Sequence, residues 1–362
     1  MVLGFGDDTT SMERMTIGEP ERLARQHDPA EVLAEMRAQR NMGEEMPRPP
    51  ASTSFRSARL SGEDLAGFDL SACDLSEADL SNANLTGTRL VNTDLTGTVL
   101  QRANLTNAEM LGANLAEADL TNAVLTRAGM GRINGTNATF FGVKATGATF
   151  SGADLTHADL RTAELTDARL RDAKLTQAVL EGADLSHADL TGADVTGASL
   201  RNAQLRQAQV RDVAGFTQAD WIGADVSDVN FTGAWLLRRH VLDENFIAEF
   251  RRQSSVHEVL YRLWWATSDC GRSLLRWSLW TVGVALLYSW LYTLVEIDWG
   301  SYKTGLSPLY YSVVTFTTLG YGDVLPGSTG AQVMAMSQVV LGYFSLGGMM
   351  SILSDKMARR AG

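Results

Sequence analysis

The chain has 362 residues, 42 of them acidic and 31 basic, for a net charge of −11. That length exceeds one ordinary domain, and the acidic balance disfavours nucleic-acid binding because it repels phosphate. Two cysteines, Cys73 and Cys270, are too few for a disulfide framework, and a mean hydropathy near zero hides a polar body joined to an apolar final quarter.

Residues 1–50 are charged and Met-rich and end in Pro47-Arg48-Pro49-Pro50. Asp28-Pro29 predicts a helix running to about Arg40, and the rest of this segment reads as flexible. The start carries no basic-then-apolar leader.

From residue 51 to 236 the chain is dominated by a period of five. Between Leu60 and Val210 an apolar residue falls at nearly every multiple of five, and only Gly135 and Ala145 lack bulk. Alanine dominates two positions before each centre, from Ala78 to Ala208. Asp or Asn often stands just before it. Five matches neither a 3.6-residue helix nor a two-residue strand alternation, so it indicates a solenoid with one repeat per side of each coil.

The pattern resembles the pentapeptide-repeat family. That resemblance implies a right-handed quadrilateral β-helix with four repeats per coil, the leucine and alanine facing inward. After Val210 the centres move to Phe216, Trp221, Val226, Phe231 and Leu236, which predicts one inserted residue near 212–215 and aromatic plugging of the far end. The total predicts about nine coils and a rod roughly 40 Å long. Gly135, Phe140, Ala145 and Phe150 would be the four sides of one coil, with the two rings meeting across its axis. A binding notch at 131–135 is the competing reading. Cys73 takes an inward small-residue slot.

No catalytic set is visible in the rod. His157 and His187 are isolated, and the Asp and Asn columns read as solvated surface. From Arg56 to Leu236 there are 23 acidic and 14 basic residues, so most of the net charge lies here. Some soluble members of the repeat family are acidic rods that imitate duplex DNA, but the charge density here is modest.

Residues 237–273 predict two short amphipathic helices, 243–252 and 256–267, with Ser255 and Glu258 as a capping box for the second. Tyr261, Leu263, Trp264 and Trp265 with Arg262 suit a membrane surface.

Residues 274–355 are different in kind. Residues 277–295 carry no charge and span roughly 28 Å as a helix. Residues 331–353 are also uncharged and long enough to cross a bilayer. Between them, Ser307 as N-cap and Pro308 at the first helical position predict a short helix to about Thr317, too short to span. Then come Thr317-Thr318-Leu319-Gly320-Tyr321-Gly322-Asp323.

This order of span, half-helix, glycine-bearing run and span resembles two-span potassium channels. It implies a multidomain chain: the β-helix plus an α-helical transmembrane pore domain with a re-entrant pore helix. It implies that the backbone carbonyls of Thr318, Leu319, Gly320 and Tyr321, the Thr318 hydroxyl and the Gly322 turn form a K⁺ selectivity filter, supported by Thr317 and Asp323, with the Tyr321 ring wedged behind it. It implies a homotetramer in a lipid bilayer. Gly342 and Gly347 fall where such channels place hinge glycines; close helix packing is the other reading. Leu319 replaces the commoner valine. Val314 stands where some bacterial members place a glutamate that pairs with the filter aspartate, so Asp323 is expected to lack that partner.

Arg262, Arg272 and Arg276 before the first span, and Lys356, Arg359 and Arg360 in the basic tail 356–362, predict both termini cytoplasmic in a bacterial inner membrane. No arginine-rich extra span exists to sense voltage. No enzyme, cofactor or nucleic-acid partner is expected; K⁺ would be the permeant ion, and the rod could scaffold, regulate or bind an unidentified cytoplasmic protein. The alternatives are a less selective monovalent cation channel and a membrane-tethered interaction scaffold without conduction.

Overall fold

The computed structural model describes residues 28–43, 46–50, 53–300 and 303–361, with side chains up to residue 354. The segment 1–27 read as flexible lies outside the described residues. The chain divides into two compact units, residues 1–246 and 247–362.

The first unit is the solenoid. Parallel bridges join every fifth residue to the one 20 positions on, from Ser54↔Asp74 to Asp194↔Ala214. Twenty residues are four pentads, so each coil has four sides. Coils are tied by backbone bonds such as Leu105 N to Val124 O at 2.7 Å and Asn104 N to Ala83 O at 2.9 Å. Leu65, Leu85, Leu105, Leu125 and their counterparts on the other sides are fully buried. Each removes an apolar side chain from water, a gain of about 1.5–3 kcal/mol. Thr88, Thr93 and Thr98 take the inward alanine slot. They stay buried because their hydroxyls donate to the carbonyls of Leu65, Leu70 and Leu75, all at 2.8–2.9 Å.

Each corner turns at a residue of positive φ two places after the inward leucine, such as Arg102 (56°) and Asn107 (57°). The preceding Asp columns are more than solvated surface. Asp94 accepts from the Thr96 amide at 3.0 Å and from its hydroxyl at 2.6 Å, and the same corner bond recurs at Asp79, Asp194 and Asp225. The D-x-[ST] spelling carried this signal, since Asp bonds its own chain two residues on. At Asp225 the Ser227 hydroxyl, then Arg206 and the Ser227 amide, pull the carboxyl down to about 2.

Phe140 and Phe150 meet edge to face, 6.1 Å between centroids, inside one coil. A Cβ on Gly135 would lie 2.9 Å from Leu155 Cδ2 and 3.4 Å from Phe140. Gly135 therefore makes room for the ring, and the space read as a notch is filled. Cys73 packs against the core, and burial raises its thiol to about 11.

Both ends are closed. Helix α1 (Pro29–Asn41), capped by Asp28, places Val32, Leu33 and Met36 in the solenoid core. Arg37 pairs with Glu63, and Arg40 lies 5.1 Å above the buried Phe68 ring. At the far end the inserted residue falls slightly later than expected: Asp194↔Ala214 keeps the spacing of 20, and Ser199↔Asp220 has 21. Trp221 is buried as predicted. Leu236 is not an inward centre. It lies exposed on α2 (Trp235–Arg252), which starts eight residues earlier than predicted and closes the coil with Leu237 and Val241.

In the second unit, α3 (Ser255–Ser268) is capped by Ser254, one residue before the predicted cap. Glu258 turns instead to Arg251 at 2.8 Å and Arg262 at 3.1 Å. Leu263 and Trp265 are exposed, as a membrane-facing side requires, but Trp264 packs against Phe250 at 6.3 Å. The remaining elements are helix α4 (Leu274–Leu291), a 3₁₀ turn (Tyr292–Leu294), strand β1 (Ile297–Asp298), helix α5 (Ser307–Phe316), strand β2 (Leu325–Pro326) and helix α6 (Thr329–Ala361). Residues 274–294 and 329–354 are long and apolar enough to cross a membrane. Helix α6 runs on through Ala361, so the backbone of the basic tail is helical.

Candidate ion-conduction site

The site begins with α5. Its first residue is Ser307, with Pro308 next. Ser307 does not cap its own helix as expected: its hydroxyl accepts backward from the Thr304 amide at 2.8 Å. The other end of the helix sets the geometry of the glycine-bearing run. Thr318 N donates to Thr315 O at 3.1 Å and Leu319 N to Val314 O at 3.0 Å. These are the two bonds of a Schellman stop, whose left-handed position is usually glycine. Here Thr318 occupies it, at φ 56°. The residue pattern did not signal this stop, because a threonine meets a steric penalty there that glycine escapes.

Residues 318, 320 and 322 all have positive φ (56°, 46° and 75°), with Leu319 and Tyr321 of the opposite hand between them. The run 319–321 is neither helix nor strand. Leu319 and Tyr321 are 59% and 66% exposed, so within one chain the Tyr321 ring is not wedged behind the run.

With Val314 in the glutamate's place, Asp323 lacks that partner as expected, but it has another. The Tyr310 hydroxyl, one helical turn before Val314, donates to Asp323 Oδ2 at 2.8 Å. The chain on either side of the site is clasped together. Ile297 and Asp298 pair antiparallel with Pro326 and Leu325, and Gly327 N donates to Glu296 O at 3.0 Å. Tyr292 and Tyr311 stack edge to face at 4.7 Å, with Trp299 against Tyr311 at 6.3 Å.

The two glycines of α6 differ. A Cβ on Gly342 would collide with the carbonyl oxygen of Phe316, the last residue of α5; Gly347 has open space around it. Gly348 instead lies under the Trp277 indole, whose Nε1 donates to Ser345 O at 2.8 Å. Helix α6 is continuous through all three. Packing explains Gly342 and Gly348. An open cavity lined by Thr281, Phe316, Thr317, Thr318, Gly342 and Leu346 lies beside the start of the run, with a volume of about 260 Å³.

Among the described residues no group of His, Cys, Asp or Glu could hold a metal ion.

Comparisons with known proteins fall into the same two parts. Residues 53–92, 88–127, 136–172, 163–202 and 178–213 match the family described as pentapeptide repeats, and residues 264–359 match the family described as ion channel. Two-pore potassium channel 1 of Arabidopsis thaliana is 30% identical over 82 residues, 22% of this chain. The chain spans about a fifth (21%) of that channel's length. Among solved structures, HetL, a pentapeptide repeat protein involved in heterocyst differentiation regulation from the cyanobacterium Nostoc, is 28% identical. The match covers 55% of this chain and 94% of HetL, with a TM-score of 0.38. Full-length QnrB1, a plasmid-mediated fluoroquinolone resistance protein, is 21% identical, covering 52% and 94%, with a TM-score of 0.22. The chain thus joins a run of pentapeptide repeats to an ion-channel domain, neither of which is enzymatic.

Proposed function

We propose that four copies of this chain form a potassium-selective channel, with the run from Thr318 to Gly322 as its filter. The observation that carries the reading is the alternation of hand at residues 318, 320 and 322, directly after a short, half-buried helix and between two apolar spans. A backbone that changes hand at each residue can present successive carbonyls to one side, which a row of sites for a dehydrated cation needs. The Thr318 hydroxyl would add a further oxygen. The likeness to a potassium channel over 82 residues supports the same reading.

One chain supplies one strand of such a filter, so conduction requires a homotetramer. The exposure of Leu319 and Tyr321 fits surfaces that neighbouring copies would cover. Basic residues before the first span and after the second, against Glu296, Asp298 and Asp323 in the loop between them, favour both termini in the cytoplasm of a bacterial inner membrane. The solenoid would then be a cytoplasmic scaffold or regulator, able to bind a protein partner.

The test is ion flux in liposomes holding the purified full chain. K⁺ flux that greatly exceeds Na⁺ flux, lost in Gly322→Asp, supports the reading. Equal K⁺ and Na⁺ flux would indicate a less selective cation channel, and a monomer that passes neither ion would indicate a tethered scaffold. Flux with and without residues 1–246 reports whether the solenoid regulates.

A further inference from the structure

Behind α5 lies a polar cluster inside an otherwise apolar unit. Tyr292, Ser312 and Gln338 are each 0% exposed. The Tyr292 hydroxyl donates to Gln338 Oε1 at 2.7 Å. Gln338 Nε2 donates to Ser312 O at 3.1 Å and to Ser312 Oγ at 2.7 Å. The Ser312 hydroxyl in turn donates to Ala285 O, in α4, at 2.6 Å. Every side-chain proton in the chain of bonds has an acceptor. The amide has one workable orientation, because the Ser312 carbonyl can only accept and must face the NH₂ group.

The cluster ties α4, α5 and α6 together at one level, where no water competes for the bonds. Its spacing matters as much as its chemistry. Gln338 meets Ser312, and Gly342 meets Phe316. Both pairs are four residues apart on their helices, so α6 touches α5 twice, one helical turn apart. The first contact is a directional clamp and the second a close approach that admits no side chain. Together they fix the height and rotation of α5, and α5 ends in the Schellman stop that launches Thr318.

We propose that Gln338 is the positioning residue of the filter: through Ser312 and Tyr292 it sets the placement of α5, and so the ion discrimination of the run 318–322. This rests on the proposed conduction. It assigns ion discrimination to three buried side chains that touch no ion.

The experiment compares wild type with Gln338→Leu and Tyr292→Phe as full-length protein in planar bilayers. Readouts are the K⁺/Na⁺ permeability ratio from reversal potentials and the single-channel current, with oligomer size measured alongside. Tyr292→Phe keeps the ring contact with Tyr311 and removes one donor, so it guards against a Gln338→Leu protein that fails to assemble. A permeability ratio lowered roughly two- to tenfold in assembled variants is expected, the scale of one neutral hydrogen bond. Variants that assemble less well, but whose assembled channels keep the wild-type ratio and current, would show a structural role only and overturn the inference. A wild type that passes neither ion sinks the conduction reading and this one with it. A selective wild type with unchanged variants overturns this one alone.

Discussion

The two units bury their apolar residues in opposite ways. In the solenoid, leucine after leucine from Leu65 to Leu205 is at or near zero exposure, and helices α1 and α2 close the ends. In the second unit α4 has no buried residue at all, and large apolar side chains such as Leu279, Trp280, Leu286 and Phe344 are more than half exposed. The first core is complete within one chain. On the proposed reading, lipid and neighbouring copies would cover the exposed apolar surface of the second unit. Stability should therefore be a property of the chain in the first unit and of the assembly in the second.

The largest expected effect breaks the function and spares the fold. Gly322→Asp places a side chain and a charge where φ is 75°, and should abolish K⁺ selectivity in flux assays. Circular dichroism of the solenoid should be unchanged. If selectivity survives, the run 318–322 is not the filter.

The next effect is the converse. Phe140→Ala empties half of the edge-to-face pair in the middle of the solenoid. It should cost about 3–5 kcal/mol, read as a lower urea midpoint of the β signal in the full-length protein. A wild-type permeability ratio in the surviving channels would show that the two units are energetically separate.

Gly342→Ala is expected to be smaller, about 1–3 kcal/mol, because the added methyl must push α6 away from the Phe316 carbonyl. It should lower the thermal stability of the oligomer. Gly347→Ala has open space and should be close to neutral. Equal effects at the two positions would remove the packing explanation and restore the hinge.

Much of this was legible in the residues. A strict period of five with alanine two places before each centre leaves little freedom, and the pairing of Phe140 with Phe150 comes from counting four sides per coil. The run 318–322 stood out because two glycines, a proline-led half-helix and two apolar spans coincide. The features that escaped notice depended on partners far apart in the chain. Gln338 gives no periodic signal, and its meaning appears only when Ser312, 26 residues earlier, is found against it. Tyr310 was hidden by attention to Val314. Helix α1 was readable as a helix but not as a lid, since closing an end is a tertiary event. The N-cap of α3 slipped by one residue because adjacent Ser254 and Ser255 could each serve, whereas α5 starts from Leu306 with no side-chain cap at all.

The solenoid's corner carboxylates also give it an acid signature. Hydrogen bonds hold the carboxyls of Asp79, Asp194 and Asp225 below their ordinary value of 3.8, in each case with the hydroxyl of the residue two places on as the leading cause. A folded-state value below the unfolded one means these groups contribute stability above pH 3.8. That contribution fades as pH falls through 3.8 toward about 2. The solenoid's urea midpoint should therefore drop over this window. A midpoint flat from pH 5 to about 2.5 would mean that the corner bonds contribute nothing net.

The smallest effect tests how far surface pairing matters in the solenoid. Arg206 Nε lies 2.6 Å from Asp225 Oδ2, one coil away, but the arginine side chain is 62% exposed. Water and salt reach the pair, and fixing two flexible side chains costs entropy, so Arg206→Gln should lower the urea midpoint only barely. Raising salt to about 0.5 M should shrink the difference further, since the Debye length is then only a few ångströms. A larger, salt-insensitive loss would mean that inter-coil ion pairs share the burden of the buried leucines. The contrast between a self-sufficient apolar core and an assembly-dependent one would then need a third, electrostatic element.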